Sequence, residues 1–353
     1  MAIRIIVVGS NKYWEHELIT SNKLIRFPRS LLRRAMILGV TVLVSIALGF
    51  IAARRGDTYD TAIYRAYFEA SLEVPIRWSY FDDSHIEIGF QLLTRAIADL
   101  TNNVQIYFFI ITVGGLFCIG RTARLCGVNR VSALVYFGCS LYPLLFLVQM
   151  RQGLANCVAF YGLALYCHRR YGIALGMLLL ACSIHVSAAL VALSLIGYIL
   201  WRRVRISLLP MLVLLALGIY CGKYWLYSMN WSRLEYYLNN PEFNQPANIF
   251  RLSTFKYLFI GLSAAMLSRR SSESQRLLVF ICFSAVLMRV IFADNSAFSG
   301  RLGASLTFGE IFIVPRLLER CGRGICWLAF PALCAASIYY LLYIEHPEIL
   351  ALY

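Results

Sequence analysis

Charge is scarce in this sequence, and negative charge scarcer still. Only 14% of its 353 residues are charged, and 18 Asp plus Glu face 33 Lys plus Arg, a net charge of +15. A soluble domain is about a quarter charged and about half apolar. Here 60% of residues are hydrophobic and the mean hydropathy is +0.67. A soluble globular enzyme is nearly excluded on these grounds. The phosphate-cradling GxxxxGK[ST] and GxGxxG loops are absent, as are HExxH and GxSxG, so no nucleotide-driven pump, kinase or soluble-type hydrolase is signalled. Eleven cysteines are present, yet no CxxC pair or Cys/His cluster has metal-ligand spacing. The reading therefore includes no metal and no cofactor. No solenoid period or low-complexity segment occurs.

What is there is a train of apolar runs separated by basic clusters. Spans are expected near Ala35–Ala53, Val104–Gly120, Val131–Gln149, Gln152–Cys167, Gly172–Ile184, Val186–Trp201, Ile206–Gly222, Thr254–Leu267, Leu277–Ala293, Leu302–Pro315 and Ile325–Ile344. Several are shorter than the ~20 residues of a perpendicular crossing. The fold class is all-α, a polytopic integral membrane protein of roughly eleven transmembrane helices. Basic clusters at Arg26/Arg29/Arg33/Arg34, Arg121/Arg124/Arg130, Arg169/Arg170, Arg202/Arg203/Arg205, Arg269/Arg270/Arg276 and Arg316/Arg320/Arg323 fall in alternate loops. Positive charge marks the cytoplasmic side, which puts the N-terminus inside and the C-terminus outside. Residues 1–34 read as a cytoplasmic extension without a signal-peptide cleavage site, and Met36 within the first span is a second candidate start. Residues 35–353 read as one polytopic domain with outer loops near 54–103 and 223–253.

By this assignment 21 of the 33 basic residues set topology, so the excess charge does not call for nucleic acid. The remainder is more informative. Arg54, Arg55, Arg151, Arg289 and Arg301 are not needed for orientation. A charge held in a span costs at least ~2.5–3.5 kcal/mol, and guanidinium is the best fork for phosphate oxygens. Arg151, in Gln149-Met150-Arg151-Gln152-Gly153-Leu154-Ala155, opens a span where the helix dipole disfavours a cation, so a compensating anion is expected; the alternative is an interfacial snorkelling arginine. His185, in Ala181-Cys182-Ser183-Ile184-His185-Val186-Ser187-Ala188, divides two short apolar arms whose far ends are both basic. The geometry is a hairpin with His185 at its tip, suited to a general base or to a structural hydrogen bond. Arg301 binds an anion or pairs with Asp294. Arg289 pairs locally or binds phosphate, and Glu310 partners an arginine internally. In the first outer loop Asp60, Tyr64 and Tyr67 share a helical face that suits sugar hydroxyls or an interfacial aromatic belt. Glu87 is the best acidic base candidate. The second loop, with Tyr224, Trp225, Trp231, Tyr236 and Phe243, reads as a glycan lid or an interface-lying segment.

The stretches Arg55…Asp60-Thr61-Ala62-Ile63-Tyr64, Glu87-Ile88-Gly89-Phe90-Gln91-Leu92-Leu93, Met150-Arg151-Gln152-Gly153-Leu154-Ala155, Cys182-Ser183-Ile184-His185-Val186-Ser187-Ala188 and Gly300-Arg301 occur in the order found in the EpsG family. The sequence resembles that family of Wzy-like polysaccharide polymerases from about Arg54 to Arg301. The resemblance implies a glycosyltransferase that joins oligosaccharide repeat units carried on undecaprenyl pyrophosphate, at the outer face of the bacterial cytoplasmic (inner) membrane. The product would be an O-antigen, capsule or exopolysaccharide. It implies the lipid-linked oligosaccharide and the bilayer as partners, with a chain-length regulator as a further partner such proteins can take. Arg54, Arg55, Arg151 and Arg301 would then be phosphate ligands, and His185 or Glu87 the base. Asp60, Tyr64, Gln152 and Arg289 would contact substrate. A ligase moving finished glycan from the same lipid, and a flippase for lipid-linked sugar, are the rival readings.

Overall fold

The computed structural model describes residues 29–56, 58–73, 86–228, 246–247, 250, 252–267 and 272–345. Most of the expected N-terminal extension and large parts of both outer loops, including Trp231, Tyr236 and Phe243, lie outside the described residues.

The described residues are helical throughout, with no strand among them. Helix α1 (Arg29–Ala53) is uninterrupted because no charge or proline falls between Ala35 and Ala53. Then come α2 (Tyr59–Glu73), α3 (Ile88–Ala98) and α4 (Val104–Leu125). Asn103 starts α4 by accepting from the backbone N–H groups of Gln105 and Ile106, and Asn129 starts α5 (Arg130–Ser140) in the same way. Pro143 cannot extend α5. The chain instead widens into a π-turn over Pro143–Val148, which hands over to α6 (Met150–Cys167). The expected span Val131–Gln149 is thus two pieces, with the irregular turn directly before Arg151, where such widened turns tend to carry function.

Helices α7 (Tyr171–Ile184) and α8 (Ala188–Val204) follow, then α9 (Leu208–Ser228), α10 (Leu252–Leu267) and α11 (Glu273–Ile291). The expected span Leu302–Pro315 is also divided, into α12 (Ser296–Thr307) and α13 (Glu310–Arg320). Thr307 turns its hydroxyl onto Ala304 O and Gly309 follows, two features that weaken a continuous helix. Helix α14 (Arg323–Tyr339) closes the bundle.

Helix α6 is the axis of the fold. Fourteen of its 18 residues are buried, and α4, α7, α8 and the π-turn pack around it. Its Phe160 meets Phe308 and Phe312 in an aromatic core that continues through Phe137 and Phe146. The outer helices invert the usual rule, with Leu38, Leu43, Ile173, Leu179, Leu209, Val213 and Leu217 all exposed. An apolar surface this extensive is stable only against other apolar matter. Among the described residues three helical stretches, Leu32–Ala53, Val104–Leu125 and Glu273–Ile291, are long and apolar enough to cross a bilayer, and several more are apolar but shorter.

Candidate functional site

The three stretches holding Glu87, Arg151 and His185 lie far apart in sequence and meet at one point. Helix α7 ends at Ile184, His185 is extended (φ −156°, ψ 129°), and the turn at Val186–Ser187 feeds α8. The expected hairpin tip at His185 is therefore present. Glu87 stands at the start of α3, which packs against α7. This approach requires Gly89: a Cβ there would lie 2.2 Å from Ser183 Oγ and 2.7 Å from the Ser183 carbonyl carbon and oxygen. Gly153 does the same for α6, since a Cβ would sit 2.2 Å from Leu145 O in the π-turn. Gly89→Ala forces α3 off α7 at backbone level. It is expected to cost about 1–3 kcal/mol and to lower the melting temperature of the purified protein; an unchanged melting temperature would contradict the close approach.

At the junction Glu87 bridges an arginine and a histidine. Arg151 Nη1 donates to Glu87 Oε2 at 2.8 Å, and His185 Nδ1 lies 3.3 Å from Glu87 Oε1, which also accepts from Val186 N–H at 3.3 Å. The Glu87, Arg151 and His185 side chains are 14%, 21% and 23% exposed, so the cluster is sheltered but reachable. Two neighbours compete for His185 Nδ1, the Glu87 carboxylate and the Ser187 N–H at 3.4 Å. The charge-assisted contact is the stronger. With the proton on Nδ1 the ring serves Glu87, and Nε2 keeps the lone pair. Burial alone would raise the Glu87 pKa. The hydrogen bond and charge of His185, with the charge of Arg151, outweigh it and hold the carboxyl down to about 2 from an ordinary 4.5. A carboxyl lowered by folding stabilises the native state above pH 4.5 and loses that contribution as pH falls towards 2. Wild type is therefore expected to lose more melting temperature than Glu87→Gln over that window. Parallel curves would contradict the bridge.

The other candidate residues are placed as follows. Tyr64 is buried; its hydroxyl pairs with Arg151, whose guanidinium carbon lies 5.7 Å from the ring centroid, and its ring packs on Phe90. It braces the arginine instead of facing outward with Asp60, which is half-exposed. Arg55 is 5% exposed and turned inward. It stacks 3.6 Å from the Phe108 centroid and donates to Phe146 O and Met150 Sδ, clamping the π-turn to the residue before Arg151. Arg54 is exposed at the end of α1. Gln152 is buried and donates to Arg301 O and Ser305 Oγ, which fastens α12 beside the start of α6. The Arg301 side chain is exposed on α12. Arg289 packs its side chain against Gly303 of α12, donates to Ser253 Oγ and lays its guanidinium over Tyr257.

Several partners differ from the sequence expectation. Glu310 is fully buried and pairs with Lys256 at 3.0 Å, an internal ion pair made with a lysine. Asp294 pairs with Lys223 at 2.7 Å, not with Arg289 or Arg301. Lys256 had a visible signal, a lone cation within the apolar run Thr254–Leu267. Among the described residues, the buried Gln149 Oε1 and Ser187 Oγ have no hydrogen-bond partner.

The architecture and the cluster define a class: a multi-pass, all-helical membrane protein whose carboxylate–arginine–histidine site is assembled from helix ends. A sequence model of the EpsG family matches residues 37–351, nearly the whole chain. The chain belongs to the EpsG family, which is a family of Wzy-like polysaccharide polymerases. No curated protein and no solved structure shows a match.

Proposed function

We propose that the protein polymerises oligosaccharide repeat units carried on undecaprenyl pyrophosphate, at the outer face of the cytoplasmic membrane. In this reading the chain crosses about eleven times with its N-terminus inside, as the alternation of arginine clusters supports. The observation that carries the reading is the single carboxylate, Glu87, held between His185 and Arg151.

The three groups divide the chemistry. His185 Nε2 takes the proton from an acceptor hydroxyl as its oxygen attacks the anomeric carbon of the donor sugar. The bond from that carbon to the diphosphate oxygen breaks, and the electron pair leaves with the diphosphate. Glu87, bonded to Nδ1–H, orients the imidazole and stabilises the imidazolium that forms. Arg151, anchored by Glu87 and braced by Tyr64, sets its guanidinium charge against the charge growing on the leaving group. Arg54 and Arg301, both exposed, extend the cationic surface towards the lipid diphosphate. Glu87 is then the orienting carboxylate and His185 the base. Arg55 and Tyr64 position Arg151 without touching substrate.

Cells lacking the protein test this reading against a ligase. Loss of a polymerase leaves single repeat units on the end product, whereas loss of a ligase leaves the end product bare. A bare end product would overturn the proposal.

A further inference from the structure

The helix that breaks between α12 and α13 is gripped on both halves from one turn of α10. Lys256 Nζ reaches both carboxylate oxygens of Glu310, Oε2 at 3.0 Å and Oε1 at 3.1 Å. Glu310 opens α13, just past the end of α12 at Thr307, and its side chain is fully buried. Earlier on the same turn of α10, Ser253 Oγ accepts from Arg289 Nη1 at 2.6 Å. Arg289 carries that grip to α12. A Cβ on Gly303 would lie 2.6 Å from Arg289 Cγ, and Ser299 Oγ donates to Arg289 O at 3.0 Å. Lys256 and Arg289 each stand 5.1 Å from the centroid of the Tyr257 ring.

A charge carried into an apolar helix is costly, and two apolar side chains of similar volume would join α10 to α13 as firmly. What an ion pair adds is alignment, because it is satisfied in one register only. Alignment matters on α12. Its Arg301 O and Ser305 Oγ accept from Gln152 Nε2 at 2.9 and 3.0 Å, and Gln152 follows Arg151 on α6. We infer that Lys256 and Glu310 are positioning residues for the outer site: their pair sets the break between α12 and α13, and so holds α12 and Arg301 beside the start of α6. The inference rests on the reading of Arg301 as part of the cationic surface that meets the lipid diphosphate.

Purified full-length wild type, E310M, K256M/E310M and K256R test this by melting temperature, elongation kinetics and hydrogen exchange. E310M strands the Lys256 charge and should lower the melting temperature. K256M/E310M replaces both groups by apolar chains and should regain the wild-type melting temperature or exceed it. It should nevertheless raise KM for the lipid-linked donor about fivefold, with kcat changed by less than about twofold. Its amides over Ser296–Thr307 should exchange roughly tenfold faster than in wild type. K256R keeps the pair and should recover most of both losses. Wild-type KM and wild-type α12 exchange in K256M/E310M would overturn the inference, as would losses that merely follow melting temperature across the variants. Hydrogen exchange needs no glycan, so a failure of the polymerase reading leaves it able to decide. Conversely, if wild type elongates while K256M/E310M matches it, only the positioning role fails.

Discussion

His185→Ala is expected to lower the rate of glycan elongation by roughly 10²–10⁴-fold, the usual contribution of a positioned general base. The protein should still insert and purify normally, because His185 occupies a turn and not a packed helix interior. Its Nδ1 is committed to Glu87, 3.3 Å away, so the ring is oriented before substrate arrives and Nε2 is the only nitrogen left to accept a proton. Glu87→Gln should then be less damaging than His185→Ala, since the imidazole remains but loses its orientation and the support of its imidazolium. Combined with His185→Ala it should add little, because the two act as one unit. Additive losses in the double variant would show that Glu87 works independently of the histidine. Measuring chain elongation by the three variants at fixed protein concentration decides this.

Arg151→Ala is the second large effect, expected at roughly 10²–10³-fold on elongation, in line with removing one preorganised donor from a developing negative charge. Arg151→Lys should recover little of it. A lysine can satisfy Glu87 at one oxygen, but it lacks the planar fork needed to hold the carboxylate and a phosphate together. Near-complete rescue by lysine would mean that a point charge suffices. Tyr64→Phe separates position from charge in the same place. Losing the hydroxyl that pairs with Arg151 should reduce elongation by a smaller factor without abolishing it.

The membrane class and most of the helices were legible because long apolar runs bounded by arginines leave few alternatives. Two kinds of feature were not. The expected spans at Val131–Gln149 and Leu302–Pro315 carried their interruptions in plain sight, at Pro143 and Gly309, but a hydropathy run smooths over a single residue. The partners of charged residues were the harder loss. Periodicity put Tyr64 beside Asp60, yet it could not tell that the ring faces Arg151 and Phe90. Arg55 looked like a surface cation next to Arg54, while the fold turns it onto Phe108 and Met150. Glu87, Arg151 and His185 could each be singled out by local chemistry. Their meeting depends on Gly89 admitting α3 to α7, a contact between segments some ninety residues apart. Spacing within one segment holds no trace of it.

On the proposed function, the Glu87–Arg151–His185 cluster elongates a lipid-linked glycan. The most direct measurement mixes purified protein with synthetic undecaprenyl-pyrophosphate-linked repeat units and follows product length over time. Wild type should build a ladder of multiples and release undecaprenyl pyrophosphate in step, with His185→Ala and Arg151→Ala forming almost none. A ladder of wild-type length and rate from either variant, or no ladder from wild type, would contradict it.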